Sequence, residues 1–187
     1  RVEDIRVGDL VQTRDNGLQP VRWTGCRHVP AAEIGANPAL APVRIARGAL
    51  GPDLPRQDLL VSQQHRILVR SAIATRMFGA QELLVAAKHL TEVKGIDILT
   101  DAPGVTYVHL MFGAHEILTS NGAQSESLYP GPQALLALGE AANEIFTLFP
   151  ELRDGVADFP GARPFVAGKK ARQLASRHAA NRKPLAG

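Results

Sequence analysis

Two Asn-Gly pairs, Asn16-Gly17 and Asn121-Gly122, set the terms on which this chain can fold. Asn and Gly accept positive φ more readily than other residues. Flanked by alternating apolar residues, the pair is the strongest short-range signal for a β-hairpin. Leu10-Val11-Gln12-Thr13 runs into the first pair, and residues 19–26 return from it with Val21 and Trp23 on one face. Residues 116–120 run into the second pair. Residues 42–46 alternate, with Val43 and Ile45 on one face, as a half-buried strand should. Residues 59–61, 66–70, 83–86 and 106–112 add further short strands, and 71–79 suits a short helix or an irregular loop. The expectation is a β domain extending to about Tyr129.

The character changes after Tyr129-Pro130-Gly131-Pro132. Residues 133–138 and 140–149 carry helical spacing, and Pro150 stops the second run. Residues 154–164 read as a Gly/Pro-rich linker, and 169–180 as a basic amphipathic helix around Leu174. That helix has a thin apolar stripe of Leu174, Ala171, Ala175 and His178, so it is expected to be held only weakly and to be separable from the β domain. The net charge of +3 hides an asymmetry: residues 160–187 carry seven Lys/Arg and no acid, leaving 14 bases against 18 acids elsewhere. A basic tail can attract nucleic acid or an acidic surface. Its helical part carries no aromatic residue to stack on bases, which favours a solvated helix over a nucleic-acid partner.

At 187 residues and 45% hydrophobic, the chain has enough apolar material for one domain with an appendage, and wholesale disorder is excluded. No apolar run approaches the ~18 residues of a membrane span. The single cysteine, Cys26, excludes an internal disulfide and a multi-cysteine zinc site but leaves the compartment open. Beside Trp23, it reads as a small buried thiol. His89, His109 and His115 match no zinc spacing and read as isolated histidines. A weak internal echo links Ile5-Arg6-Val7-Gly8-Asp9-Leu10-Val11 to residues 90–98, each an apolar residue, a polar step, a Gly near an Asp, then a strand.

Ser62-Gln63-Gln64-His65 lies between two apolar strands. A hydroxyl three residues before an imidazole can share one pocket with it, and the imidazole can move a proton near neutral pH. On spacing alone the pair reads as a turn serine and a capping histidine. Asp58 is the acid nearest to it in sequence.

Several blocks, in order, resemble the Hint domain shared by Hedgehog autoprocessing domains and inteins. Residues 2–11 are similar to the family's early strand. Leu60-Val61-Ser62-Gln63-Gln64-His65-Arg66-Ile67-Leu68-Val69 resembles its Thr-x-x-His block, with Ser for Thr. Val85-Ala86-Ala87-Lys88-His89-Leu90 looks like its "Ala, two residues, Leu" element, and residues 108–127 are similar to its last strand pair. The closest likeness is to the bacterial Hedgehog/intein-type group, which residues 14–23 and 125–131 also resemble. The resemblance implies an all-β, Hint-type horseshoe of short strands with pseudo-twofold duplication, here with a C-terminal α-helical appendage. The expected division is a Hint-like β domain over 1–130, lacking the N-terminal nucleophile segment, a helical extension over 131–153, and a linker with a basic helical tail over 154–187.

The implied chemistry is autoprocessing. A Cys or Ser at the domain's first residue attacks the preceding carbonyl, His65 protonates or polarises the scissile nitrogen, and Ser62 orients that peptide. His115 lies near a position that supplies polar groups in relatives. No metal or organic cofactor is implied, and the substrate is the upstream polypeptide of the same chain. Because the family's first residue would stand before Arg1, the chain as given is expected to lack the attacking group and to be silent. Inteins end in His-Asn, whereas this chain reads Gln124-Ser125-Glu126-Ser127 at that place and Asn121 reads as a turn residue, so cleavage without full splicing is expected. The alternative is a non-catalytic β-module that links or displays other domains.

Overall fold

The computed structural model describes residues 1–131, 134–135, 139, 142–148 and 159–186. In chain order the strands are β1 (Leu10–Thr13), β2 (Gly17–Pro20), β3 (Trp23–Pro30), β4 (Val43–Ile45), β5 (Leu59–Val61) and β6 (Arg66–Arg70). They continue with β7 (Glu82–Ala86), β8 (Ile96–Ile98), β9 (Gly104–Met111), β10 (Ile117–Ser120), β11 (Ala123–Glu126) and β12 (Phe165–Val166). The helices are α1 (Ala31–Ala36), α2 (Ala72–Phe78), α3 (Ala142–Leu148) and α4 (Gly168–Asn181). Short strands in several sheets predominate, and the C-terminal part is helical: an all-β fold with a helical appendage. The helical run expected over 133–138 and the linker residues 154–158 lie largely outside the described residues.

The chain divides into two compact units. The smaller comprises residues 1–27, 108–118 and 126–162. Its first hairpin pairs Thr13 with Gly17 across a three-residue loop, and Gly17 takes the left-handed conformation (φ 66°). Thr13 Oγ1 accepts from Asn16 N–H at 3.2 Å and donates to Gly17 O at 2.9 Å, which closes the loop. The expected return strand is interrupted at Val21-Arg22. Val21 exchanges backbone bonds with Gly8 and Asp9, while Arg22 N–H donates to Met111 O, so the chain changes partners there. Val21, Leu110, Phe112 and Leu118 form one apolar cluster, and Trp23, Met111, Ile145 and Phe159 another.

The larger unit comprises residues 28–107, 119–125 and 163–187. β6 and β7 pair antiparallel from Arg66↔Ala86 to Arg70↔Glu82, in a sheet ordered β10-β11-β6-β7-β12. A second sheet is ordered β5-β4-β8. The second Asn-Gly pair turns between β10 and β11 with φ 51° at Asn121 and 86° at Gly122, the two positive values a type I′ turn demands. Residues 71–79 resolve as helix α2. Ser71 caps it by accepting from Ala74 N–H, and Gly79 ends it at φ 70°.

The internal echo is structural. A short 3-10 turn, Val2–Asp4, ends where Ile5 N–H donates to Val2 O, and Gly8 (φ 93°) then leads into β1. The 3-10 turn Ala87–His89 ends where Leu90 N–H donates to Ala87 O, and Gly95 (φ 87°) leads into β8. One copy lies in each unit.

The expected weak attachment of the basic tail is overturned. Ala171, Leu174 and Ala175 of α4 are fully buried in the larger unit's core, as is Leu185 beyond it. A count of apolar side chains on the helix missed what its flanks contribute. Before the helix, β12 joins β7 in parallel, Phe165 beside Leu84. After it, Arg70 N–H donates to Leu185 O and Ala186 N–H to Leu50 O. A Cβ on Gly51 would collide with the Ala186 carbonyl, so only glycine admits that close approach. His178, buried on α4, lies 3.0 Å from Ser71 Oγ through Nε2 and 3.1 Å from Lys183 O through Nδ1.

Deleting residues 167–187 is therefore expected to lower the melting temperature by roughly 10 °C or more. Leu174 and Leu185 each contribute ~1.5–3 kcal/mol by burial, and each kcal/mol shifts the midpoint of a chain this size by ~2–4 °C. An unchanged melt would show that the tail does not support the core. Burial, the larger cause, holds the His178 imidazole below its ordinary value of 6.5. Burial, then Lys88 and Arg172, do the same at His89. Below pH ~6.5 the unfolded chain then binds more protons than the folded one, so stability falls with pH there and this contribution vanishes above it. Melts from pH 7.5 to 5 should show the decline, and His89→Gln should make it shallower.

Candidate functional site

Between β5 and β6 the chain makes a four-residue turn. His65 N–H donates to Ser62 O at 3.1 Å. Ser62 and His65 flank the turn, both half-buried, and Gln64 projects outward. Two neighbours hold it. Ala87 N–H donates to His65 O at 2.9 Å and Lys88 N–H to Gln63 O at 3.1 Å. Those are the first donors of the Ala87–His89 3-10 turn, which has no internal acceptors for them. From the other side, Gln63 Nε2 donates to Pro38 O at 2.7 Å and Ala41 O at 3.2 Å. The turn's carbonyls and the 3-10 turn's donors thus satisfy one another. The corner carries a hydroxyl and an imidazole three residues apart, groups of the kinds able to orient a peptide and to carry a proton.

Sequence reasoning chose Ser62 and His65 but overlooked Gln63 as the residue that clamps them. Gln63 was legible only as a polar residue between two site candidates. The carbonyls that it reaches come from a 3-10 turn, Pro38–Leu40, and its exit, which no pattern in the sequence links to residue 63. Asp58 turns away to serve arginines. Its Oδ2 lies 3.0 Å from Arg44 Nε and its Oδ1 accepts from Arg47 N–H at 2.9 Å.

His115 belongs to the smaller unit, whereas Ser62 and His65 belong to the larger. It is buried. Nδ1 accepts from Ala162 N–H at 3.0 Å, which places the neutral ring's proton on Nε2. Nε2 lies 3.2 Å from Glu126 Oε2. The ring meets Tyr129 at 5.1 Å between centroids, tilted by 57°, and Tyr129 meets Phe159 at 6.1 Å. The neighbouring carboxylate, Glu116, is buried with both oxygens 3.0 Å from Asn16 Nδ2, and its N–H donates to Ser127 Oγ. The Asn16 side chain therefore ties the hairpin loop to Glu116, while Gly17 supplies the positive φ.

Cys26 is exposed, not the buried thiol expected. Trp23 and Gly25 share one face of β3, and the indole folds so closely over Gly25 that a Cβ there would collide with it. Side chains alternate along a strand, so Cys26 falls on the opposite face. Asn121 has its side chain engaged: Nδ2 donates to Asp58 O at 3.2 Å. His89 Nε2 accepts from Gly168 N–H at 3.3 Å. Among the described residues, no group of three or more His, Cys, Asp or Glu is arranged to hold a metal ion, and no helix is long and apolar enough to cross a membrane.

With this geometry in place, comparison with known proteins gives one match. The family profile described as Hint domain covers residues 1–132. No curated protein and no solved structure matches the chain.

The clamp on the turn makes a direct stability prediction. Gln63→Ala removes two neutral, partly exposed hydrogen bonds and should destabilise the protein by about 1 kcal/mol. In urea denaturation the midpoint should fall with the slope unchanged. An unshifted midpoint would show that the two bonds contribute nothing to the folded state.

Proposed function

The chain belongs to the Hint-domain family, and we propose that it is an autoprocessing module that promotes an N-to-S or N-to-O acyl shift at its upstream junction and cleaves there without full splicing. The observation that carries this reading is the braced Ser62–His65 turn. In the proposed step the thiol or hydroxyl of a Cys or Ser at the family's first position attacks the preceding carbonyl carbon. The C–N bond breaks, His65 delivers a proton to the departing nitrogen and regains the one that the nucleophile gives up, and a thioester or ester replaces the amide. Water or another nucleophile then releases the upstream segment. An amide is more stable than a thioester, so the shift needs this general acid and a peptide held in place, which is the role given to Ser62.

His115 is kept as a second candidate for the reaction; its ring is buried against Tyr129, Glu126 and the Ala162 backbone. Cys26 is given no role: it stands in mid-strand on β3, where moving the backbone from nitrogen to sulfur would disrupt the strand. The engaged Asn121 side chain supports cleavage without the Asn cyclisation that splicing requires.

The test uses the chain extended upstream to include a Cys or Ser at the family's first position, preceded by a reporter domain. Thiol-dependent release of the reporter, followed by mass spectrometry, should slow by roughly 10²–10⁴-fold in His65→Ala, the usual worth of a positioned acid. Ser62→Ala should slow it less. A full-rate His65→Ala variant would remove His65 from the mechanism. No cleavage in the unsubstituted chain would favour a β-module that links or displays other domains.

A further inference from the structure

A cleft of about 680 Å3 opens in the larger unit where the start of α2 meets the end of α4. Its lining includes Arg70, Arg76, Arg177 and Lys183, and among the described lining residues there is no carboxylate. Ile73 and Pro184 supply an apolar wall. The volume is that of a small-molecule site, which typically runs ~300–1,000 Å3. The like charges of Arg76, Arg177 and Lys183 around one concavity repel each other, and this arrangement is relieved when an anion enters.

Beside the cleft, the buried His178 joins a chain of hydrogen bonds that the proposed autoprocessing step does not use. Lys183 O can only accept, so His178 Nδ1 carries the proton that it receives at 3.1 Å. His178 Nε2 then accepts the hydroxyl proton of Ser71 at 3.0 Å, and Ser71 Oγ accepts from Ala74 N–H at 3.0 Å. This chain of bonds ties α2 to the end of α4. Arg182 adopts the left-handed conformation (φ 49°), and that turn brings Lys183 and Pro184 back to the cleft. Arg76 and Arg177 are exposed residues of the two packed helices, α2 and α4, and both line the cleft.

We propose that this cleft binds a small organic phosphate, with the phosphoryl group among Arg76, Arg177 and Lys183 and an apolar body against Ile73 and Pro184. Guanidinium groups match phosphate oxygens in pairs and keep their charge at any working pH, which favours a dianionic phosphate over a singly charged carboxylate. The apolar wall favours a molecule with an apolar body over the polar backbone of a nucleic acid, and among the described lining residues there is no aromatic side chain to stack a base.

The test titrates phenyl phosphate into the full chain, by calorimetry and by amide chemical shifts, at fixed ionic strength. Saturable binding is expected, with shifts centred on residues 70–76 and 177–184. The exposed double variant Arg76→Gln/Arg177→Gln should weaken it at least 10-fold with an unchanged melting temperature. Lys169→Gln, a tail cation outside the cleft lining, should leave it unaltered. Benzoate should bind at least 10-fold more weakly than phenyl phosphate. Absence of saturation, equal weakening by Lys169→Gln, or equal affinity for benzoate would overturn the proposal. So would a single-stranded RNA oligonucleotide that binds more tightly and loses affinity with Lys169→Gln, since attraction to the whole tail would then explain the charge.

Discussion

The antiparallel pairing of β6 with β7 is the interaction on which the larger unit depends. Its register, Arg66 opposite Ala86, makes the turn before β6 and the 3-10 turn after β7 obligatory neighbours. The bond from Ala87 N–H to His65 O carries the ladder one step past the strands, and Lys88 N–H to Gln63 O carries it into the turn. The position of Ser62 and His65 is thus a consequence of sheet register. A one-residue slip would exchange the packing partners of Ile67, Leu68 and Val69, which are buried on both faces of the strand, and, in the same motion, would pull the turn off its donors.

The same two strands anchor the chain's end. β12 adds to the outer edge of β7, and Leu185 and Ala186 return to Arg70 and Leu50. Arg163 pairs with Glu82 at 2.7 Å beside this junction, and the guanidinium of Arg66 lies 4.1 Å from the centroid of the Phe165 ring. A segment with seven positive charges and few large apolar residues is therefore built into a core. Backbone ladders on both sides hold it, and the helix between needs only Ala171, Leu174 and Ala175 to fit closely against its neighbours. Burying His178 in that contact makes it sensitive to acid.

Much of the β architecture was legible because its signals are local. Asn-Gly pairs mark hairpins, and β4 and β6 follow from alternation or a short apolar run. The echo between Ile5–Gly8 and Leu90–Gly95 survived as a repeated 3-10 turn, apolar cap and positive-φ glycine even though the copies differ in length. The return strand from the first hairpin was misjudged as continuous, because the partner change at Val21-Arg22 depends on Gly8, Asp9 and Met111. Cys26 was misplaced because its neighbour in sequence, Trp23, lies on the other face of the strand.

Sequence alone established where hairpins turn, that the runs around residues 43–45, 59–61, 66–70 and 83–86 are strands, that Ser62 and His65 sit three apart on a strand-to-strand corner, and that the positive charge concentrates after residue 160. These depend on local conformational preference and spacing, which the order of residues contains in full. Tertiary structure established that Gln63 clamps the corner, that His115 is buried against Glu126 and Ala162, and that the basic tail completes a core and shapes a cationic cleft. Each of those joins residues well separated in sequence, from 11 positions for His115 and Glu126 to 136 for Leu50 and Ala186. Nothing in a local pattern specifies such a partner, because it is selected by sheet register and by the close fit of side chains across the core.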